Sequence, residues 1–192
     1  MLRTACRWLA AAAIFACPLF SGVIYNSTDV PKTIPDLSTV TSTLTVPGGS
    51  TITDVNVIIG SLTHTWDSDL ELRLISPGAA FNVLLVLSRG GSGDNFTGTT
   101  LDDSAATAIA DGSAPFTGSF RPEEALSALN GLSTGGVWTL WIQDQQEEDS
   151  GTLNSWSLDI STTTDGGVPE PGTALLAGLG LAAAALLRKM RG

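Results

Sequence analysis

The chain has 192 residues, with 9 Lys and Arg against 19 Asp and Glu and a formal net charge of -10 at pH 7; that length suits one ordinary domain with appendages. Five of the nine basic residues (Arg3, Arg7, Arg188, Lys189, Arg191) lie in the terminal segments, so residues 23–170 carry 4 - 19 = -15. A body so acidic has no basic stripe to neutralise phosphates, which argues against nucleic acid as a partner, and with both cysteines (Cys6, Cys17) in the N-terminal apolar run it has no disulfide framework or thiolate metal site.

In chain order, residues 1–22 place Arg3 and Arg7 ahead of an apolar run from Leu9 to Ala16 and the small residues Ser21 and Gly22. That layout predicts a secretory signal peptide. Residues 23–33 are expected to form an extended lead-in, because the stretch to Leu37 is polar and broken by Pro31 and Pro35. Strand-like segments then follow at short intervals: Ser42 to Val46, Ile52 to Ile59, Leu70 to Ser76 and Val83 to Leu87, bounded by Pro47-Gly48-Gly49, Pro77-Gly78 and the glycine-rich run from Gly90 to Asn95. This rhythm predicts an all-β sandwich or barrel. In Leu70-Glu71-Leu72-Arg73-Leu74 the leucines share one face and the charges the other, so one side of that strand is predicted to pack inward and the other to be wet.

Phe96 to Leu132 shows no clean period and reads as long loops with short strands. Pro122-Glu123-Glu124-Ala125-Leu126 predicts a single helical turn, with Pro at its first position and acids at its positive end. Two alternating segments close the body. Trp138, Leu140 and Ile142 share one face of the first, and Trp156, Leu158 and Ile160 share one face of the second. The acidic connection between them, carrying Asp144, Glu147, Glu148 and Asp149 and ending at Gly151, predicts an antiparallel hairpin.

Beyond a Thr/Gly linker at residues 163–167, the composition changes at Val168-Pro169-Glu170-Pro171-Gly172. Leu175 to Leu187 is apolar or glycine throughout, and Arg188-Lys189-Met190-Arg191 closes the chain. The 16 residues from Gly172 to Leu187 would span about 24 Å as a helix, slightly short of a bilayer core of about 30 Å. A transmembrane helix with snorkelling basic residues is expected over this stretch, with the extreme C-terminus cytoplasmic and the body outside.

Three stretches together resemble the P domain (Homo B domain) that follows the catalytic domain of proprotein convertases and bacterial subtilisin-like proteases. They are His64-Thr65-Trp66-Asp67-Ser68-Asp69-Leu70 through Ser76-Pro77-Gly78, Phe120-Arg121-Pro122 with Leu126 and Gly131, and Gly136-x-Trp138-Thr139-Leu140 through Asp144 to Gly151-Thr152-Leu153-Asn154-Ser155-Trp156. The resemblance covers residues 34–162 and implies a jelly-roll-like β-sandwich. Ala79-Ala80 stands where the family usually has Gly-Thr. Residues 168–192, with Pro169, Glu170 and Pro171, resemble the PEP-CTERM sorting signal of Gram-negative bacteria. That resemblance implies export, recognition by an exosortase, and residence in the cell envelope or extracellular matrix.

A Ser-His-Asp triad needs a base beside its nucleophile, but His64 is the single histidine and falls where the P-domain pattern has one, and no Gly-Thr-Ser nucleophile segment occurs. The expectation is a non-catalytic chain. Its family association with serine-type endopeptidases would then express itself as an accessory role in trans, or as a structural or binding module. Calcium prefers six to eight oxygens, and the candidates are Asp67, Asp69, Asp102, Asp103 and Asp144, with Asp69 and Asp144 at acidic positions that the resemblance singles out; the same acids could instead be solvated or cap backbone N–H groups. Trp66 and Trp141 point away from the inward set and are the candidates for stacking on an exopolysaccharide, against a packed role for Trp138 and Trp156.

Overall fold

The computed structural model describes residues 22–163. The expected signal peptide, the Pro169-Glu170-Pro171 motif and the expected C-terminal helix therefore lie outside the described residues. Among the described residues, no helix is long and apolar enough to cross a membrane.

Ten strands build two sheets: β1 (Val23–Asn26), β2 (Lys32–Ile34), β3 (Thr39–Val46), β4 (Ile52–His64), β5 (Leu70–Ile75), β6 (Asn82–Leu87), β7 (Phe96–Leu101), β8 (Phe116–Phe120), β9 (Gly136–Asp144) and β10 (Gly151–Thr162). One sheet runs β1-β10-β4-β7-β8, with β2 also paired to β10; the other runs β3-β9-β5-β6. All pairings are antiparallel except β7 with β8. The inward residues of both sheets form one buried cluster, including Leu70, Leu72 and Leu74 of β5, Trp138, Leu140 and Ile142 of β9, and Trp156, Leu158 and Ile160 of β10. This is the all-β sandwich that the alternation predicts, because a strand with one apolar face must set that face against a second layer.

The closing segments form the expected strands, but they do not form a hairpin with each other. β9 pairs with β3 and β5, whereas β10 pairs with β1, β2 and β4. Residues 145–150 thus cross from one sheet to the other. The physical reason lies in the two aromatic faces: side by side in one sheet they would form one broad face, while in opposite sheets they close the core from both sides. Trp138 is fully buried and donates its Nε1–H to the carbonyl of Thr134 at 3.0 Å, so its one polar atom is satisfied.

The lead-in is extended, and it is also part of the sheet. β1 lies along Ser157–Ile160 and β2 along Gly151–Leu153, so the two share the edge of β10. Between them Asp29 accepts from Ser42 Oγ at 2.5 Å and from Thr43 N at 3.0 Å, fastening the break to β3 in the other sheet. Burial works against ionising Asp29, yet the hydrogen bonds from Ser42, Thr43 and Ser27, joined by Lys32, outweigh it and hold its pKa down to about 2.

The helical turn starts four residues beyond its predicted place. It is a 3-10 turn over Leu126–Leu129, and Glu123 and Glu124 precede it. Those two residues bond the outer edge of β6 instead: their N–H groups donate to Leu85 O and Leu84 O, and Glu124 Oε2 accepts from Leu84 N at 2.8 Å. Covering an open strand edge outweighs the modest benefit of an acid at a one-turn helix. At the unusual Ala79-Ala80 step, Ala79 adopts φ +55°, a conformation that disfavours a Cβ.

Candidate functional site

Four connections converge at one end of the sandwich: β2–β3, β4–β5, β6–β7 and β9–β10. The register fixes this, since Gly151 pairs with both Ile34 and His64 while Leu70 pairs with Asp144. At this end the last inward residue of β4 is His64 and that of β9 is Asp144, and the alternation that buries leucines elsewhere buries these two polar side chains completely. His64 Nε2 lies 3.2 Å from Asp144 Oδ2, and Nδ1 lies 2.9 Å from the carbonyl of Trp66. The second oxygen of Asp144 accepts from Gln146 N at 3.2 Å. Gly151 is required beside this pair, because a Cβ there would stand 2.2 Å from Thr63 O and 2.8 Å from the His64 ring.

Asp67 opens a 3-10 turn, Asp67–Asp69, and is fully buried. One carboxylate oxygen accepts from Asn95 N at 2.9 Å; the other has no partner. Burial with half of its hydrogen bonds missing pushes its pKa up to about 7, against a smaller opposing pull from Asn95 and His64. The glycine-rich β6–β7 connection packs on it directly: Asp67 N donates to Gly93 O, Ser68 N to Gly91 O, and a Cβ on Gly90 (φ +98°) would come within 2.9 Å of Asp67 Cβ. Asp69 is buried too, and burial followed by the neighbouring charges of Asp144 and Asp149 raises its pKa. Thr65 Oγ1 donates to Asp149, and Glu148 N to Asp36 at 3.2 Å, which laces the acidic β9–β10 connection to its neighbours.

The five candidate calcium ligands therefore divide. Asp67, Asp69 and Asp144 share this end, whereas Asp102 and Asp103 follow β7 and cap backbone. Asp102 accepts from Ser104 N at 2.7 Å and Ser104 Oγ at 2.9 Å, and Asp103 accepts from Leu126 N and Ser127 N at 2.9 and 2.8 Å, closing the start of the 3-10 turn. Among the described residues, no group of three or more His, Cys, Asp or Glu is arranged to hold a metal ion. The two candidate tryptophans divide as well. Trp66 is 44% exposed beside the His64 pair, while Trp141 is half-buried on the outer face of β9 between Thr41 and Arg73.

Two participants escape a reading of the sequence. Asn95 takes φ +76°, donating its backbone N–H to Asp67 while its side-chain oxygen accepts from His64 N at 3.0 Å; the Gly-Asp-Asn run marks a turn but not which loop it will fasten. Glu71, read as a wet position, is buried with Arg73 and Gln145 on it.

The site is thus a polar network buried beneath one set of loops of a β-sandwich and held by hydrogen bonds between strands and loops. The sequence matches the proprotein convertase P-domain over residues 52–160, so the chain belongs to that family, whose domain is a non-catalytic accessory of subtilisin-like proteases. Residues 167–191 match the PEP-CTERM protein-sorting motif. Among solved structures, the chain is similar to a serine protease of Aeromonas sobria, with 22% identity, 73% of this chain and 26% of that one covered, and a TM-score of 0.46. It is similar also to that protease in complex with its chaperone, with 21% identity, the same coverage and a TM-score of 0.45. The chain spans about a quarter of the length of the proteases it matches.

Proposed function

We propose that this protein is an exported, surface-sorted P-domain that acts by binding or by supporting structure, in the cell envelope or extracellular matrix of a Gram-negative bacterium, after recognition by an exosortase. The observation that carries this reading is the pairing of two matches in one chain, a P-domain at 52–160 and a sorting motif at 167–191. The site chemistry is consistent with it: His64 has both ring nitrogens engaged by oxygens and no accessible face, so it is poorly placed to act as a base toward a substrate. The test is localisation of the epitope-tagged full chain and of a variant with Pro169→Ala, Glu170→Ala and Pro171→Ala. The reading expects the parent at the cell surface or in the medium and the variant retained with the inner membrane; identical distributions would overturn it.

A second reading follows from family membership: the domain serves a separate subtilisin-like protease in trans. Co-purification of the full chain with one such protease would favour it over a general envelope role. Exopolysaccharide is the third partner class, and exposed Trp66 is the side chain that would offer it a stacking face, more so than half-buried Trp141. Calcium enters as a proposal for Asp67, Asp69 and Asp144 alone, and it requires these side chains to turn toward one another, since as they stand they form no metal-holding group. Supporting it are the unpartnered oxygen of Asp67 and the mutual repulsion of Asp69 and Asp144, both of which a divalent cation would relieve. Millimolar calcium should then raise the thermal midpoint, and Asp69→Asn should remove the rise.

A further inference from the structure

We infer that the sandwich stands end-on over the membrane, with the β3–β4 turn and the start of β1 facing the lipid and the loop end that carries Trp66 and residues 145–150 turned outward. The inference rests on the sorting reading above. It is carried by where the chain leaves the body. β10 starts at Gly151, beside His64, and runs to Thr162, beside Ile52. Thr163 N still donates to Thr51 O at 3.0 Å, so the chain is held to the β3–β4 turn at its last described residue. The sorting motif begins at residue 167 and the apolar stretch at Gly172, nine residues on, a reach of about 30 Å at full extension. The opposite loop end lies a further 35 Å or so along β10, at about 3.3 Å per residue. The chain also enters at the same end, since Val23 pairs with Ile160.

Charge does not set the direction, because acids also gather at the end where the chain leaves. Asp54 and Asp159 face each other's neighbours across β4 and β10, with Asp102 and Asp103 close enough to act on Asp54, and the body as a whole is strongly acidic. The terminal end also presents exposed Val23, Ile24, Phe81 and Val137 on its rim. Exposed apolar side chains also occur at the loop end (Leu37, Trp66, Leu87), so it is the exit of the chain, and not apolarity, that decides the direction.

The test uses the full chain with Cys6→Ala and Cys17→Ala, reconstituted in vesicles of phosphatidylethanolamine and phosphatidylglycerol that contain a headgroup energy acceptor. A donor dye is attached at Ser50→Cys, in the β3–β4 turn, or at Gln146→Cys, in the β9–β10 connection; both positions are exposed. The orientation predicts transfer from position 50 at least about twofold greater than from position 146, as a separation of about 35 Å along the strand requires. Equal or reversed transfer on vesicle-bound protein would overturn the orientation and leave the sorting reading standing. Failure of the full chain to float with the vesicles would overturn both.

Discussion

Asp67 and Asp103 are the same residue type, each following a strand of the same sheet, yet they do opposite work. Asp103 sits half-buried and spends both oxygens on the free N–H groups of Leu126 and Ser127, the ordinary duty of a carboxylate at the start of a turn. Asp67 is driven fully inside under a glycine-rich loop with one oxygen unpartnered. The two ends of this sandwich are built on different terms. The end near the chain exit uses acids as caps, and the loop end buries them among one another and against His64.

The contrast between the two ends is largest at Asp144. Replacing it with Ala strips the buried His64 ring of its partner and leaves Gln146 N unbonded, and the expected loss is about 3–5 kcal/mol, read as the urea midpoint of the purified body. A loss no greater than that of Asp103→Ala would erase the distinction between the ends.

Next in size is pH. The folded-state pKa of Asp67 is about 7 against an ordinary 3.8, so the fold favours the protonated form. This carboxyl's contribution is then fully present below its ordinary value and is lost as pH rises toward 7, by about 2–3 kcal/mol between pH 5 and pH 8. Asp67→Asn should flatten this slope whatever it does to the absolute stability, and Asp103→Asn should leave the slope in place. Asp69, also raised, adds to the same trend. Asp29 opposes it only near pH 2–4, where losing its ionised form costs the hydrogen bonds that tie the lead-in to β3.

Smaller still is Asp103→Ala, expected to cost about 1 kcal/mol, rising toward 2 if both N–H groups stay unbonded. Trp66→Ala should change stability by less than about 0.5 kcal/mol, as suits an exposed side chain. An exopolysaccharide interaction weakened by Trp66→Ala and not by Trp141→Ala would place recognition at the loop end. The reverse result would move it to the outer face of β9.

The sandwich was legible because its strands alternate so regularly: Leu70, Leu72 and Leu74, or Trp138, Leu140 and Ile142, declare their buried face without help. Pairing was not legible, since alternation says which face of a strand is buried and nothing about its neighbour; β9 and β10, adjacent in sequence, read as a hairpin and lie in opposite sheets. Proline breaks hid β1 and β2 because those strands are short edge pieces held partly by Asp29, whose partners lie 13 and 14 residues away. At the site, the acids themselves were visible. Their division between the two ends depends on which loops meet in space, and so does the part played by Asn95.

In the proposed orientation the exit end faces the membrane, and the loop end is the surface left open to a partner. Photo-crosslinking from single sites in the full chain, carried out on intact cells, tests that claim most directly. Adducts to protein or polysaccharide should form from a photoreactive residue at Gln146 and not from one at Ser50, whose adducts should be with lipid; partner adducts forming at Ser50 and not at Gln146 would contradict it.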